Sequence, residues 1–397
     1  MDKINKKYEY MKKKYIGSEI LSNSSLYSPP SQNVLNYIKK SYYDKQFTNR
    51  GPLVNELEEK LLDFHNTKYC ITFCSAFWAL VAAIKNVAIK NKKYILIPAL
   101  TSKELNDAIL WTGFTPLYCD ILPSNLGLDI NSFDQNNLND TALILAVHPS
   151  VDSLNAHMIS QFASSVLIPL IFYSVESVNE TLPQGKVGIF GSCEIFSLHE
   201  CSLINGLEGG YITTNDLSLY DKFKRFQNFS LDSEGQLTNK FSMNAKLNEG
   251  HAAFALASLD DLDLLLKHNY FIYQKYLSSV RLMSDKFSIR LYNDKINPSY
   301  NQIVAELDKK YIDCREKLII TLKSLNIHSS LTNFLPLHAK KQGIIGTKNL
   351  ELKNTDFYSR NLFSLPSGWP LNKDQISPII YLINKIIEDI YTNNNAL

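Results

Sequence analysis

Phe196-Ser197-Leu198-His199-Glu200-Cys201-Ser202-Leu203-Ile204-Asn205-Gly206-Leu207-Glu208-Gly209-Gly210 is the stretch on which the reading of this chain turns. Glu194 to Leu198 is apolar and strand-like. A polar run follows, and Gly206 and Gly209-Gly210 mark a turn, where the absence of a Cβ lets the backbone reverse. A second strand-like piece, Gly210 to Thr213, leaves the turn.

The same texture extends upstream. Leu53 to His65 carries Leu53, Leu57, Leu61 and Leu62 at helical spacing. Tyr69 to Phe73 reads as a strand, Ala76 to Ala88 as a helix, and Tyr94 to Ile97 as a strand stopped by Pro98. Glu104 to Thr112 reads as a helix ending at Gly113, and Pro116 to Ile121 as a strand. Ala142 to Val147, a polar crossover, and Ser165 to Tyr173 continue the series. Asp216 to Phe226 is a helix after the last strand. Apolar strands alternating with helices predict an α/β fold, a mainly parallel seven-stranded sheet covered on both faces.

Lys246 to Lys267 reads as one long helix lined by Ala252, Ala253, Ala255, Leu256, Leu259, Leu262 and Leu266. Beyond it come shorter pieces, the strand Ile303 to Leu307 and helices over Cys314–Leu325 and Asp374–Thr392. The expected organisation is an N-terminal segment 1–26, a large domain 27–267 and a smaller C-terminal α/β domain 268–397. A length of 397 residues agrees with two cores.

With 41 basic and 39 acidic side chains the chain has no strong electrostatic footprint, so no nucleic-acid partner is expected. The Lys-rich start through Lys14 is interrupted by Tyr8, Tyr10 and Tyr15 and reads as a solvated helix or tail. No apolar run predicts a membrane span or a signal peptide. The cysteines Cys70, Cys74, Cys119, Cys193, Cys201 and Cys314 show no zinc spacing and read as free thiols of a cytoplasmic protein. No metal is expected.

The opening segment aligns without a gap on Ser-Phe-His-Pro-Thr-Lys, a polar run, then Gly-Glu-Gly-Gly. It resembles the signature of the DegT/DnrJ/StrS-type sugar aminotransferases, pyridoxal phosphate enzymes of fold type I. Further likenesses follow in the family's order: Gly51-Pro52 with Leu57-Glu58, Ile97-Pro98, Thr115 to Asp120, Val187-Gly188-Ile189-Phe190-Gly191, Asn244 to Glu249, Leu335 to His338 and Leu362 to Pro366. The resemblance implies a fold-type I, aminotransferase-like large domain with a smaller C-terminal domain.

It also implies a site, and the site departs from the pattern. The family's Schiff-base lysine falls on Ser202, whose hydroxyl forms no imine. The aspartate that pairs with the pyridine nitrogen falls on Tyr173, and Glu176 keeps the nearby acidic or amide position. Ser75-Ala76-Phe77 replaces the Ser-Gly-Thr phosphate loop, and Ser102 the stacking aromatic. Ser197 and Asn244 remain, Asn244 reaching across from a partner subunit. The expectation is that no cofactor is bound, that Tyr173 fills the vacated space, and that transamination is lost. Glu176 with Tyr173, or His199, is an alternative acid/base group. His148 and His338 read as structural or substrate-facing, and Lys186 and Lys246 as surface lysines. The implied protein is a degenerate family member with a nucleotide-sugar cleft, linked to polysaccharide or sugar biosynthesis. It is expected as a homodimer, or as a heterodimer with an intact relative. The alternatives are an altered, cofactor-independent enzyme on a nucleotide sugar, or a true sugar aminotransferase with a non-standard site.

Overall fold

The computed structural model describes residues 2–24, 26–133, 135–230, 242–291, 296–329, 335–338 and 351–395. Its main sheet has seven strands in the order Tyr69–Phe73, Gly210–Thr214, Cys193–Ser197, Leu170–Tyr173, Thr141–Val147, Tyr94–Pro98, Thr115–Cys119. Only Gly210–Thr214 runs antiparallel to its neighbours. The expected α/β fold with a mainly parallel sheet is therefore present.

The strands are apolar on both faces because helices cover both. Ile71, Ile95, Ile97, Leu143, Leu145 and Ile195 pack to one side. Cys70, Leu96, Ile144, Ala146, Phe172 and Phe196 pack to the other. This is the two-residue alternation of a pleated strand with both sets buried. The helices α1 (Asp2–Tyr15), α2 (Ser31–Asp44), α3 (Pro52–His65), α4 (Ala76–Val87), α5 (Lys103–Trp111), α6 (Ala156–Ser165) and α7 (Leu217–Phe226) precede the C-terminal half. The region read as a polar crossover is α6, started by Asn155, whose side chain accepts from the Met158 N–H at 3.0 Å. The strand after it shortens to Leu170–Tyr173.

The long helix expected from Lys246 to Lys267 is two helices, α8 (Glu249–Asp260) and α9 (Leu262–Met283). They break where Asp261 accepts from Tyr27 Oη at 2.8 Å and Asp260 from Tyr37 Oη at 2.6 Å. Further on, α10 (Arg315–Ser324), α11 (Lys353–Asn361) and α12 (Lys373–Asn395) flank a three-stranded antiparallel sheet, Phe287–Ile289, Ile303–Leu307 and Leu362–Leu365. The Lys-rich start is α1, and one face of it is not solvated. Tyr8 is buried in the same core as Ile303, Phe363 and Ile383, and its hydroxyl donates to Asp389 at 2.6 Å. None of the described helices is long and apolar enough to cross a membrane.

One buried carboxylate sets how α3 meets α8. Glu249 accepts from the Leu53 N–H at 2.7 Å, the Val54 N–H at 3.1 Å and Ser41 Oγ at 3.2 Å. Pro52, at the first helical position, has no N–H to satisfy. The carboxylate thus closes the open donors of the α3 N-terminus and complements its dipole. Gly51 is required by space, since a Cβ there would lie 2.7 Å from Glu249 Cδ.

Glu249→Ala leaves two buried helix N–H groups without acceptors, at about 1–3 kcal/mol each. A loss of roughly 3 kcal/mol in urea unfolding, followed by circular dichroism, is expected. Glu249→Gln, which keeps one acceptor oxygen, should lose less. Equal, small losses in both variants would contradict this account.

Candidate active site

The parallel strands end together on one edge, and the segments that leave them enclose a cavity of about 280 Å³. This is where an open α/β sheet places its ligand. The cavity brings together six residues expected from the sequence: Ser102, Tyr173, Glu176, Ser197, His199 and Ser202. It also holds His148, read as structural or substrate-facing, and adds Thr101 and Glu104. Ser202 sits on the polar turn after Cys193–Ser197 and is 7% exposed. Its N–H donates to the His199 carbonyl at 2.8 Å.

Tyr173 does not make the alternative pair with Glu176. Its hydroxyl donates to Glu104 Oε2 at 2.8 Å. Glu104 stands in the first turn of α5, where Ser102 is the N-cap and accepts from the Glu104 N–H. The cap aims the first turn at the end of Leu170–Tyr173, and the carboxylate meets the phenol there. Burial pushes the Glu104 carboxyl up, against the Tyr173 hydrogen bond and the His199 ring, which hold it down. Burial and the neighbouring Glu104 push the Tyr173 phenol well up, so it is a neutral donor. Sequence reasoning missed Glu104, which is an ordinary first-turn acid until the fold shows what it faces. His199 lies on the cavity wall, its Nε2 3.8 Å from Glu208 Oε1.

Behind the cavity lies a second buried acid. Glu194 Oε1 accepts from the Gly188 and Phe190 N–H groups at 2.7 Å each, and Oε2 accepts from Ser174 Oγ. His148 stacks on Phe172 with its Nε2 3.8 Å from Glu194 Oε2. Burial raises the Glu194 carboxyl to about 7, against the hydrogen bonds that favour its charged form.

The other expected positions lie around this cavity. Ser75 caps α4, its Oγ accepting from the Trp78 N–H. Ala76 and Ser75 abut Gly210, where a Cβ would come within 2.5 Å of Ala76 Cα. Phe77 packs on Trp78, and Ser197 Oγ accepts from the His199 N–H at 3.1 Å. Asn244 is exposed and accepts from Lys246 Nζ at 2.6 Å. Lys186 lies over the Phe64 ring, and His338 is 3.1 Å from Asp356. Neither Lys186 nor Lys246 lines the cavity. Among the described residues no three His, Cys, Asp or Glu side chains are placed to hold a metal ion.

The profile of the DegT/DnrJ/EryC1/StrS aminotransferase family matches residues 31–384. The chain belongs to this family. It is 24% identical over 360 residues to the dTDP-4-amino-4,6-dideoxy-D-glucose transaminase of Shigella dysenteriae, covering 90% of this chain and 96% of that one. Among solved structures it superposes on Helicobacter pylori PseC, an aminotransferase involved in the biosynthesis of pseudoaminic acid. The TM-score is 0.81, with 21% identity over 94% of this chain and 100% of PseC. On S. venezuelae DesV, solved with a ketimine intermediate, the TM-score is 0.77, with 18% identity over 90% and 95% of the two chains.

These relatives correct the expectation that no cofactor is involved. DegT/DnrJ/EryC1/StrS aminotransferases are pyridoxal phosphate (PLP) enzymes, and Spr1654 of Streptococcus pneumoniae, which has the same fold, is solved in its PLP form. Pyridoxal phosphate is the cofactor to which the family points. The residues present fit it in part. The capped N-terminus of α4 beside Gly210, with Ser75 and Ser197, suits a phosphate. Among the described residues no Lys or Arg lines the cavity.

The Glu194 carboxyl yields a pH signature. Its folded value, about 7, lies above the ordinary 4.5. Its stabilising contribution is therefore complete below pH 4.5 and is lost as pH rises through 7. Glu194→Gln keeps an acceptor for both N–H groups and does not ionise. The variant should gain on the wild type by on the order of 3 kcal/mol between pH 4.5 and 8, read from urea midpoints. His65, pushed down by burial to about 3, titrates in both proteins and cancels in the difference. A difference that is flat with pH would refute the assignment.

Proposed function

We propose that this chain keeps the nucleotide-sugar cleft of its family but does not turn over as an aminotransferase. Its homologues are nucleotide-sugar aminotransferases of sugar biosynthesis, and this protein is read as acting in the same setting. The observation that carries the reading is Ser202. It is buried in the cavity, the sequence resemblance aligns it with the family's lysine, and a hydroxyl neither forms an imine nor serves as a base near neutral pH. Tyr173 supports it, because a neutral phenol engaged with Glu104 supplies no charge for a pyridinium.

The reading includes assembly as a dimer, with itself or with an intact relative, through the surface around Phe47 to Leu53 and Asn244. Tyr42, Tyr43 and Phe47 are exposed together, Tyr43 at 90%, and Tyr42 packs edge-on against Phe47. Aromatic clusters of this kind favour cover by a partner. A dimer is expected in sedimentation at micromolar concentration. A monodisperse monomer that also fails to bind an intact relative from the source cell would remove this part.

The activity is tested with a dTDP-4-keto-6-deoxy sugar, glutamate and added pyridoxal phosphate. Turnover is expected far below the roughly 1–1,000 per second of ordinary enzymes. Ser202→Lys alone should not restore it, since Tyr173 and Phe77 still stand at the ring and phosphate positions. Turnover near 1 per second in the unmodified protein would make it a sugar aminotransferase with a non-standard site.

A further inference from the structure

We propose that a groove between α1, α12 and the end of α9 docks this protein on an anionic membrane surface. The helix that builds one wall of it, α1, lies outside the residues 31–384 that match the family. Three observations carry the proposal.

The first is an outer face that the fold holds in place. α1 is fastened to the core of the smaller sheet by its inner side. Tyr8 is buried there, Lys7 and Tyr8 both bind Asp389, and the Ile16 carbonyl accepts from Gln375 Nε2 at 2.9 Å. Lys6, Tyr10, Lys13 and Lys14 are left outside, at the i, i+4, i+7, i+8 spacing of one helix face.

The second is the groove, a depression of about 500 Å³. Tyr10, Tyr15, Met283 and Tyr381 line it and are 43–65% exposed, and Leu282, next to Met283 in the chain, is 85% exposed. Large apolar side chains scattered singly over a surface are ordinary, whereas a cluster around one depression marks a docking site.

The third is charge. From Lys6 to Lys14 the chain carries five lysines and one acid, an excess above the net +2 of the whole protein. Lys14 Nζ stands 4.9 Å from the centre of the Tyr15 ring and 5.7 Å from that of Tyr10, so a cation sits at the rim of the groove. None of the described residues that line the groove is charged. An apolar floor, phenols at the mouth and ammonium groups beside them match the acyl chains, interface and phosphates of a lipid leaflet. An acidic protein segment finds no ion-pair partner inside such a groove, and acyl chains need none.

The test is co-sedimentation of the full-length protein with two kinds of vesicle. One is phosphatidylcholine alone, and the other is phosphatidylcholine and phosphatidylglycerol in equal amounts. The anionic vesicles are expected to bind tighter by about tenfold or more at low salt, and the difference should shrink as salt is added. Lys13→Glu with Lys14→Glu should remove the preference. Lys90→Glu with Lys93→Glu, an equal change of charge on the loop before Tyr94–Pro98, should leave it. Tyr10→Ser with Tyr381→Ser should weaken binding and make the remainder wholly salt-sensitive. These six residues are all at least partly exposed, and circular dichroism checks that each variant is folded. Equal binding to both vesicles, or to neither, overturns the proposal. So does a preference that survives the Lys13 and Lys14 changes, or one that the Lys90 and Lys93 changes remove equally. If vesicles do not bind and the tyrosine variant alters the sedimenting mass of the protein alone, the groove belongs to a second copy of this chain.

Discussion

The Glu249 carboxylate at the N-terminus of α3 is the contact on which the placement of the rest depends. It joins three separate stretches, Ser41 on α2, Leu53 and Val54 on α3, and its own helix α8. α3 packs on the strand Tyr69–Phe73, and Glu58 from its middle accepts from the Thr72 N–H at 2.8 Å. That strand ends at Phe73, two residues before Ser75, the α4 cap. Gly51 and Pro52 serve the same contact, one by leaving room and the other by presenting no N–H.

The frame and the cavity obey different constraints. In the frame, several buried polar groups have a local reason. Glu194 holds the Gly188 and Phe190 amides, and His65 bridges the Val187 carbonyl and the Tyr211 hydroxyl. Asp120 anchors the start of α11 through the Asn354 and Thr355 N–H groups. These groups stabilise backbone turns whatever the ligand, so a change of chemistry does not release them. In the cavity, Ser202 and Thr101 line the wall with the Glu104–Tyr173 pair. Their polar atoms face the open cavity.

The comparison with relatives separates scaffold from chemistry. A match across residues 31–384 and a TM-score of 0.81 to PseC speak for the backbone. The side chains at the sheet edge decide the chemistry, since one fold hosts many sites. α1 and the residues after it precede the matched span, yet Tyr8, Ile16 and Leu21 bury into the core of the smaller sheet.

The sequence by itself determined the alternation of strands and helices, the order of the family's markers and the identity of the side chain at position 202. These are local facts. Apolar periodicity and turn glycines act within one element, and a missing amine is visible in one letter. Only the tertiary structure decided that Tyr173 bonds Glu104, 69 residues away, and not Glu176, three residues away. Likewise the helix break at Asp261 depends on Tyr27, 234 residues distant. Such pairings arise where strand ends and helix caps converge. A polar side chain there takes the partner that the packed backbone presents, and sequence separation carries no information about which one that is.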